Sequence, residues 1–308
     1  METLLNLNEF KANTHSQSGE DGILEKLFQT LAIERGHFCE FGAWDGVHLS
    51  NAYNLYCRGW KGCYIEGDRK RHEDLLRNIT RSDVAKVCAF VSVSGDDSLD
   101  NVLVRSKIFA PHEPIAIDLL SIDIDSDDLA VWRSVKGFRP RVVVIEYNPT
   151  IPIDVFFENP AGENKGNSAR SIFEYARSID YAMVGTTTTN LVFVERRTGP
   201  LPFRCFELSD EDLSLGVRYF FGYDGTLITK ETGPMTSHAM PEFLVAPWAG
   251  SIFKQPVSRY FRQHDRGRVR DWLNLVSSAI SAGITSPLEF ARFTWNKKIG
   301  RGHTAAHK

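Results

Sequence analysis

Long apolar runs are missing from this chain. None approaches the roughly 20 residues that a bilayer-spanning helix requires, and the first ten residues carry acids without the basic start of a secretory leader. The expectation is a soluble, cytoplasmic protein. Cysteine is scarce: Cys39, Cys57, Cys63, Cys88 and Cys205 are odd in number, nowhere form C-x-x-C and have mostly apolar neighbours. That argues against a zinc site and a disulfide framework, and reads as reduced core residues. Internal repeats are absent as well. The net charge is only -3, but it is unevenly spread: from Phe253 to Lys308 eleven Lys/Arg face three Asp/Glu, so an acidic body carries a basic tail. With 308 residues, 42% of them hydrophobic, the chain can bury a full core as one main domain with an appendage.

What is present alternates strand and helix. Ile23, Leu24, Leu27 and Phe28 repeat at helical spacing behind Ser18 and Asp21, which read as an N-cap pair. A strand then enters the turn Glu40-Phe41-Gly42-Ala43-Trp44-Asp45-Gly46, followed by a helix over 50–59 with Ala52, Leu55 and Tyr56 inward. Cys63-Tyr64-Ile65-Glu66 is a second strand, completing β-α-β. Helix 69–79, strand 84–93, helix 98–106, a strand through Asp123 and Asp125, helix 127–135 and strand 141–146 continue the pattern. Strands apolar on consecutive residues are buried on both faces, as in a doubly wound parallel sheet. Helix 168–179 and two strands at 181–185 and 190–194 close the domain as an edge hairpin. Domain boundaries are expected at 1–198 and 199–308, with Gly199-Pro200-Leu201-Pro202 as linker, a short β element over 217–228 and two basic helices, the second opened by Ser286-Pro287-Leu288-Glu289.

The first turn carries the strongest chemical signal. A dinucleotide loop presents G-x-G-x-x-G and a helix N-terminus to an anionic pyrophosphate. Here the spacing is Glu40-x-Gly42-x-x-x-Gly46 and Asp45 adds a second negative charge. Such a loop suits a cation, and S-adenosylmethionine, with a sulfonium, an ammonium and no phosphate, has that sign. Gly42 and Gly46 bend the backbone close to the ligand. Asp45 either adds negative potential there or caps the helix that follows the loop. Glu66, 20 residues after Gly46, ends the second strand where a carboxylate accepts both ribose hydroxyls. Val91, Ser92 and Val93 are positional candidates for adenine, with core packing as the equal alternative. Trp44 either packs or walls the pocket.

Taken in order, Glu40 to Gly46, Tyr64-Ile65-Glu66, Ser121-Ile122-Asp123-Ile124-Asp125, Ile145-Glu146-Tyr147-Asn148-Pro149 and Gly185-Thr186-Thr187 resemble FkbM-type S-adenosylmethionine-dependent methyltransferases. Ser16-Gln17-Ser18-Gly19-Glu20-Asp21-Gly22 resembles the lead-in of one branch. The resemblance spans about residues 14–197. It implies a class I methyltransferase (Rossmann-like) fold, a seven-stranded α/β sheet with an antiparallel last strand. It also implies O-methylation of sugar or natural-product hydroxyls, with Glu40, Gly42 and Asp123 toward the methionine part of the cofactor.

A second constellation is acidic. Asp123 and Asp125, two apart on a strand, share a face, as do Glu146 and Asn148 after the next. Carboxylates gathered in one cleft repel unless a cation, a proton or a polar substrate separates them. Mg²⁺ held by Asp123, Asp125, Glu146 and Asn148 is one reading. The pattern is similar to catechol-type methyltransferases, although Tyr147 intervenes here between acid and Asn. Hydrogen bonds to sugar hydroxyls or to the cofactor ammonium are the other reading. Asp125 is the first candidate base and His48 the second, while Asp127 and Asp128 read as first-turn acids of a helix. Arg259, Arg262, Arg266, Arg268 and Arg270 suit a membrane surface or acidic partner, or a solvated face; nucleic acid is not expected. Two rival functions remain: a nucleotide-dependent oxidoreductase, and a catalytically inert methyltransferase-like partner protein.

Overall fold

The computed structural model describes residues 4–108, 115–210 and 213, together with three short strands beyond them. The chain divides into two compact units, Met1–Leu215 and Gly216–Lys308. In the first, strands β1 (His37–Phe41), β2 (Lys61–Glu66), β3 (Val84–Cys88), β4 (Leu119–Ile122), β5 (Val142–Glu146), β6 (Tyr181–Thr186) and β7 (Asn190–Glu195) form one sheet, ordered β3-β2-β1-β4-β5-β7-β6. β1 to β5 are parallel, and β7 inserts antiparallel between β5 and β6. This is the class I methyltransferase arrangement that the sequence led us to expect, an α/β sheet wound in both directions from the β1/β4 boundary.

Side-chain alternation sorts the two cores. Phe38, Tyr64, Leu119, Val144, Val192 and Val194 meet α1 (Glu20–Thr30), α2 (Tyr53–Cys57) and α3 (Arg69–Asn78) on one face. Cys39, Ile65, Ile122, Val143, Ile145 and Phe193 meet α4 (Leu99–Ser106), α5 (Asp128–Ser134) and α6 (Ala169–Ser178) on the other. The strands carry apolar residues at consecutive positions through their middles because both faces are covered, and their polar residues gather mostly at the ends. Ile23, Leu24, Leu27 and Phe28 are buried as a single stripe of α1, each contributing about 1.5–3 kcal/mol of transfer free energy. By the same alternation Glu40, Glu66, Glu146 and Asn190 lie on the α1 face, where the strands run out into loops.

Several local expectations change. α1 starts on Gly19 at φ 108 without a side-chain cap; Asp21 instead accepts the amides of Thr14, His15 and Ser16 at 2.6–2.8 Å, since one buried carboxylate can tie down a whole turn. α2 is shorter than 50–59 because Ser50 and Asn51 are drawn to Glu40. β3 ends at Cys88, well short of residue 93. The stretch after β7 is no linker: Phe203 and Phe206 are buried, and the backbone pairs with Leu5 and Met183. The first unit therefore runs past residue 198. Cys39 and Cys63 are buried, whereas Cys57 and Cys88 are exposed; all five cysteines are free thiols. Among the described residues no helix is long and apolar enough to cross a membrane.

The second unit holds an antiparallel sheet of β8 (Arg218–Phe221), β9 (Leu227–Lys230) and β10 (Phe253–Gln255), ordered β10-β9-β8. β8 and β9 pair antiparallel at 218–221 and 227–230, where a short β element was expected over 217–228. Both expected terminal helices and the arginine cluster lie outside the described residues.

Candidate active site

Open α/β sheets bind ligands beyond the carboxyl ends of their strands, where the strand order reverses. Here that point lies between β1 and β4, and four loops meet around it. The turn after β1 is pressed onto the end of β4: Asp123 N–H donates to the Phe41 carbonyl, and a Cβ at Gly42 (φ 76) would overlap the Asp123 carbonyl oxygen. Gly46, also at φ 76, is seated on Leu75 of α3 and on Ile79, which caps that helix. Both glycines are thus required by backbone geometry and close approach.

Glu66 stands at the end of β2 with both oxygens oriented. Oε2 accepts Trp44 N–H at 2.7 Å and Oε1 accepts Asp68 N–H at 2.8 Å. Each oxygen keeps a second acceptor direction, the arrangement a vicinal diol needs. Trp44 is 46% exposed and lies under the Arg71 guanidinium at 3.9 Å. Asp45 serves the turn itself: its Oδ1 accepts the amides of Val47 and His48 at 2.9 and 2.7 Å. The helix that follows starts only at Tyr53 with Ala52 at its N-cap, so Asp45 caps no helix and these bonds hold a local turn. His48 is exposed beside Trp44, ring centroids 6.4 Å apart, and is not one of the residues gathered around Asp123.

Glu40 is buried on the α1 face. Its oxygens accept Ser50 Oγ–H at 2.5 Å and Asn51 N–H at 2.8 Å, and Asn51 passes a hydrogen bond on to Ser121 of β4. Glu40 therefore fastens the loop to the sheet. Ser92 lies beyond β3 in a turn, its hydroxyl proton donated to the Ser94 carbonyl at 2.8 Å, which leaves the oxygen to accept but not to donate. Phe90, absent from the sequence expectations, packs its ring where a Cβ of Gly67 would sit and is 75% exposed.

The acids after β4 and β5 do come together. Carboxylate oxygens of Asp123, Asp125 and Glu146 lie within 4.8 Å of one another. The route differs from the expected one, because β4 ends at Ile122 and Asp125 reaches the group from a turn residue at φ 62, not from strand alternation. Asp128 shapes that turn, accepting Ile124 N–H and Ser126 N–H at 2.8 and 2.9 Å. Asp127 instead receives Asn159 Nδ2–H. Asn148 does not join the acids: its Oδ1 accepts both the amide and the hydroxyl of Thr150, and its Nδ2 donates to the Lys165 carbonyl. Its carboxamide is committed to its own loop.

Burial and mutual repulsion raise these acids together. Burial pushes Glu40 up to about 7 against the donors that pull it down, and Asp128 to about 6. Asp123 and Glu146 are raised by burial and then by neighbouring carboxylates. Since the folded state holds these protons more tightly than the unfolded chain, stability is full below about pH 4 and falls as pH rises through about 6 and 7. We expect the melting temperature in EDTA to decline from pH 5 to pH 8.5. Glu40→Gln should shallow that decline, because an amide accepts from Asn51 and donates to Ser50. A melting temperature that rises over this interval would contradict the assignment.

No protein-family model matches the chain, and no curated protein matches its sequence. Among solved structures, the chain is similar to TrmK of M. capricolum, determined in complex with its natural cofactor product S-adenosyl-homocysteine. The identity is 12% and the TM-score 0.35, over 62% of this chain and 74% of that one. It is also similar to a fibrillarin/Nop5p complex at 14% identity and a TM-score of 0.31, over 53% of this chain and 72% of that one. Likenesses this loose leave the reaction to be argued from the residues themselves.

Proposed function

We propose that this chain is an S-adenosylmethionine-dependent O-methyltransferase of the FkbM type, acting on a hydroxyl of a saccharide or related polar metabolite. The observation that carries this reading is the carboxylate-edged turn of Gly42 seated against Asp123, with Glu66 held by two backbone amides at the neighbouring strand end. The turn offers negative charge where a dinucleotide loop would offer amides to phosphate. Glu66 suits the ribose diol, and the exposed Phe90 ring suits a flat base. The positively charged methionine end is then directed toward Asp123.

An acceptor hydroxyl approaching from the acidic side meets hydrogen-bond acceptors suited to polyol groups. In the transfer, an oxygen lone pair attacks the methyl carbon in line with the C–S bond. That bond breaks with its electron pair staying on sulfur, giving neutral S-adenosylhomocysteine, and the hydroxyl proton passes to a carboxylate of the Asp123, Asp125 and Glu146 group. Asp125 is the first candidate to receive it, being more exposed than Glu146.

Incubation with methyl-labelled S-adenosylmethionine and a panel of saccharides tests the reading. Label is expected in an ether linkage on one acceptor class; a chain that binds the cofactor yet transfers label to no hydroxyl compound would overturn it in favour of an inert partner protein. Phe90→Ala should weaken S-adenosylhomocysteine binding about tenfold, since base–aromatic stacking is worth about 1–3 kcal/mol; unchanged affinity by calorimetry would remove Phe90 from the site.

A further inference from the structure

We infer that Asp123, Asp125, Glu146 and Asn190 form a binding site for a hard divalent cation of the Mg²⁺, Mn²⁺ or Ca²⁺ class. The three carboxylates are the first ground. With oxygens no further than 4.8 Å apart, a common centre lies within about 2.8 Å of each, a few tenths of an ångström from the ~2.3–2.6 Å bonds that Ca²⁺ makes to oxygen. Asp123 and Glu146 are within hydrogen-bonding reach of each other, and both feel the negative charges of Asp125 and Asp128.

Asn190 is the second and independent ground. It opens β7 directly opposite Glu146 in the antiparallel ladder, so the two side chains share a face with Cβ atoms about 5 Å apart. It is only 3% exposed. Its Nδ2 donates to Glu20 Oε1 at 2.9 Å, and Thr187 Oγ donates to the same Glu20 oxygen. A carboxylate accepts only, so this bond fixes which end of the carboxamide is nitrogen. With Nδ2 held by Glu20, which also takes the hydroxyl of Thr187 next to β6, we place Oδ1 on the far side of the carboxamide, toward the Glu146 it faces in the ladder. Oδ1 has no hydrogen-bond partner among the described residues, and a buried carbonyl oxygen without a donor calls for one or for a cation. Asn190 thereby takes the place expected of Asn148.

The set is all oxygen, without Cys or His, which selects hard cations over zinc or copper. Binding itself does not depend on the proposed methyl transfer, but its use does: a cation here would lower the pKa of an acceptor hydroxyl beside the carboxylate that takes its proton.

The test is a titration of MnCl₂ into the full chain without S-adenosylmethionine, with free Mn²⁺ followed by electron paramagnetic resonance. One bound Mn²⁺ per chain with Kd below ~1 mM is expected, within the range of carboxylate sites, and CaCl₂ should displace it. Asp125→Asn, which an Asn tolerates at φ 62, should weaken binding at least tenfold. Asn190→Ala should weaken it severalfold and provides a second check should the first variant not fold. No Mn²⁺ bound by the wild type at 10 mM, or wild-type affinity in both variants, would overturn the site. A protein that binds Mn²⁺ but not S-adenosylhomocysteine would remove the proposed function and leave this site standing.

Discussion

Gly42→Ala is expected to abolish S-adenosylhomocysteine binding and to lower the melting temperature by roughly 6–12 °C, the shift of about 3 kcal/mol in a domain of this size. The residue sits at φ 76, where an L side chain is strained, and its Cβ would occupy the position of the Asp123 carbonyl oxygen. Neither partner can yield easily. The Phe41 carbonyl already accepts Asp123 N–H, and Phe41 pairs with Ile122 in the ladder, so moving the turn means unzipping the ends of β1 and β4. The same displacement would carry Asp123 away from Asp125 and Glu146. Wild-type affinity in a folded Gly42→Ala protein would show that the close seat of the turn on β4 has no part in binding.

Glu66→Ala should cost at least about a hundredfold in S-adenosylhomocysteine affinity by calorimetry, with the melting temperature of the free protein changed far less. Two charge-assisted hydrogen bonds to the ribose hydroxyls would be lost, each worth about 1.5–3 kcal/mol. The amides of Trp44 and Asp68 would lose their acceptor as well, loosening the turn that frames the pocket. Because that part of the chain is half-exposed, water can satisfy both amides, so the stability cost stays small. Asp45→Ala, by contrast, removes the acceptor of the Val47 and His48 amides in the turn, costing about 1 kcal/mol of stability. Equal affinities for the wild type and Glu66→Ala would move the ribose elsewhere.

The sheet was legible because its strands are apolar at consecutive positions, a pattern that only double-sided burial produces. Glu66 was legible because it ends such a strand at a fixed distance from the glycine turn. The acid group was legible in membership but not in route: alternation along a strand would align Asp123 with Asp125, whereas a left-handed residue after the strand brings them together. Asn190 was missed because its relation to Glu146 exists only through the register of β7 against β5, more than 40 residues apart. A closing hairpin seen in sequence does not say which of its strands faces the sheet. Phe90 was missed because an aromatic residue near a strand end reads as core, and Phe203 because Gly and Pro around it read as a linker while its ring is in fact buried beside α1.

The central claim is that the carboxylate-lined turn after β1 accepts a methionine-bearing nucleoside and rejects a pyrophosphate. Isothermal titration of the wild-type protein with S-adenosylhomocysteine and, separately, with NAD⁺ tests it most directly. The account predicts saturable one-to-one binding of the first and no detectable heat from the second. Tight NAD⁺ binding with none for S-adenosylhomocysteine would contradict it.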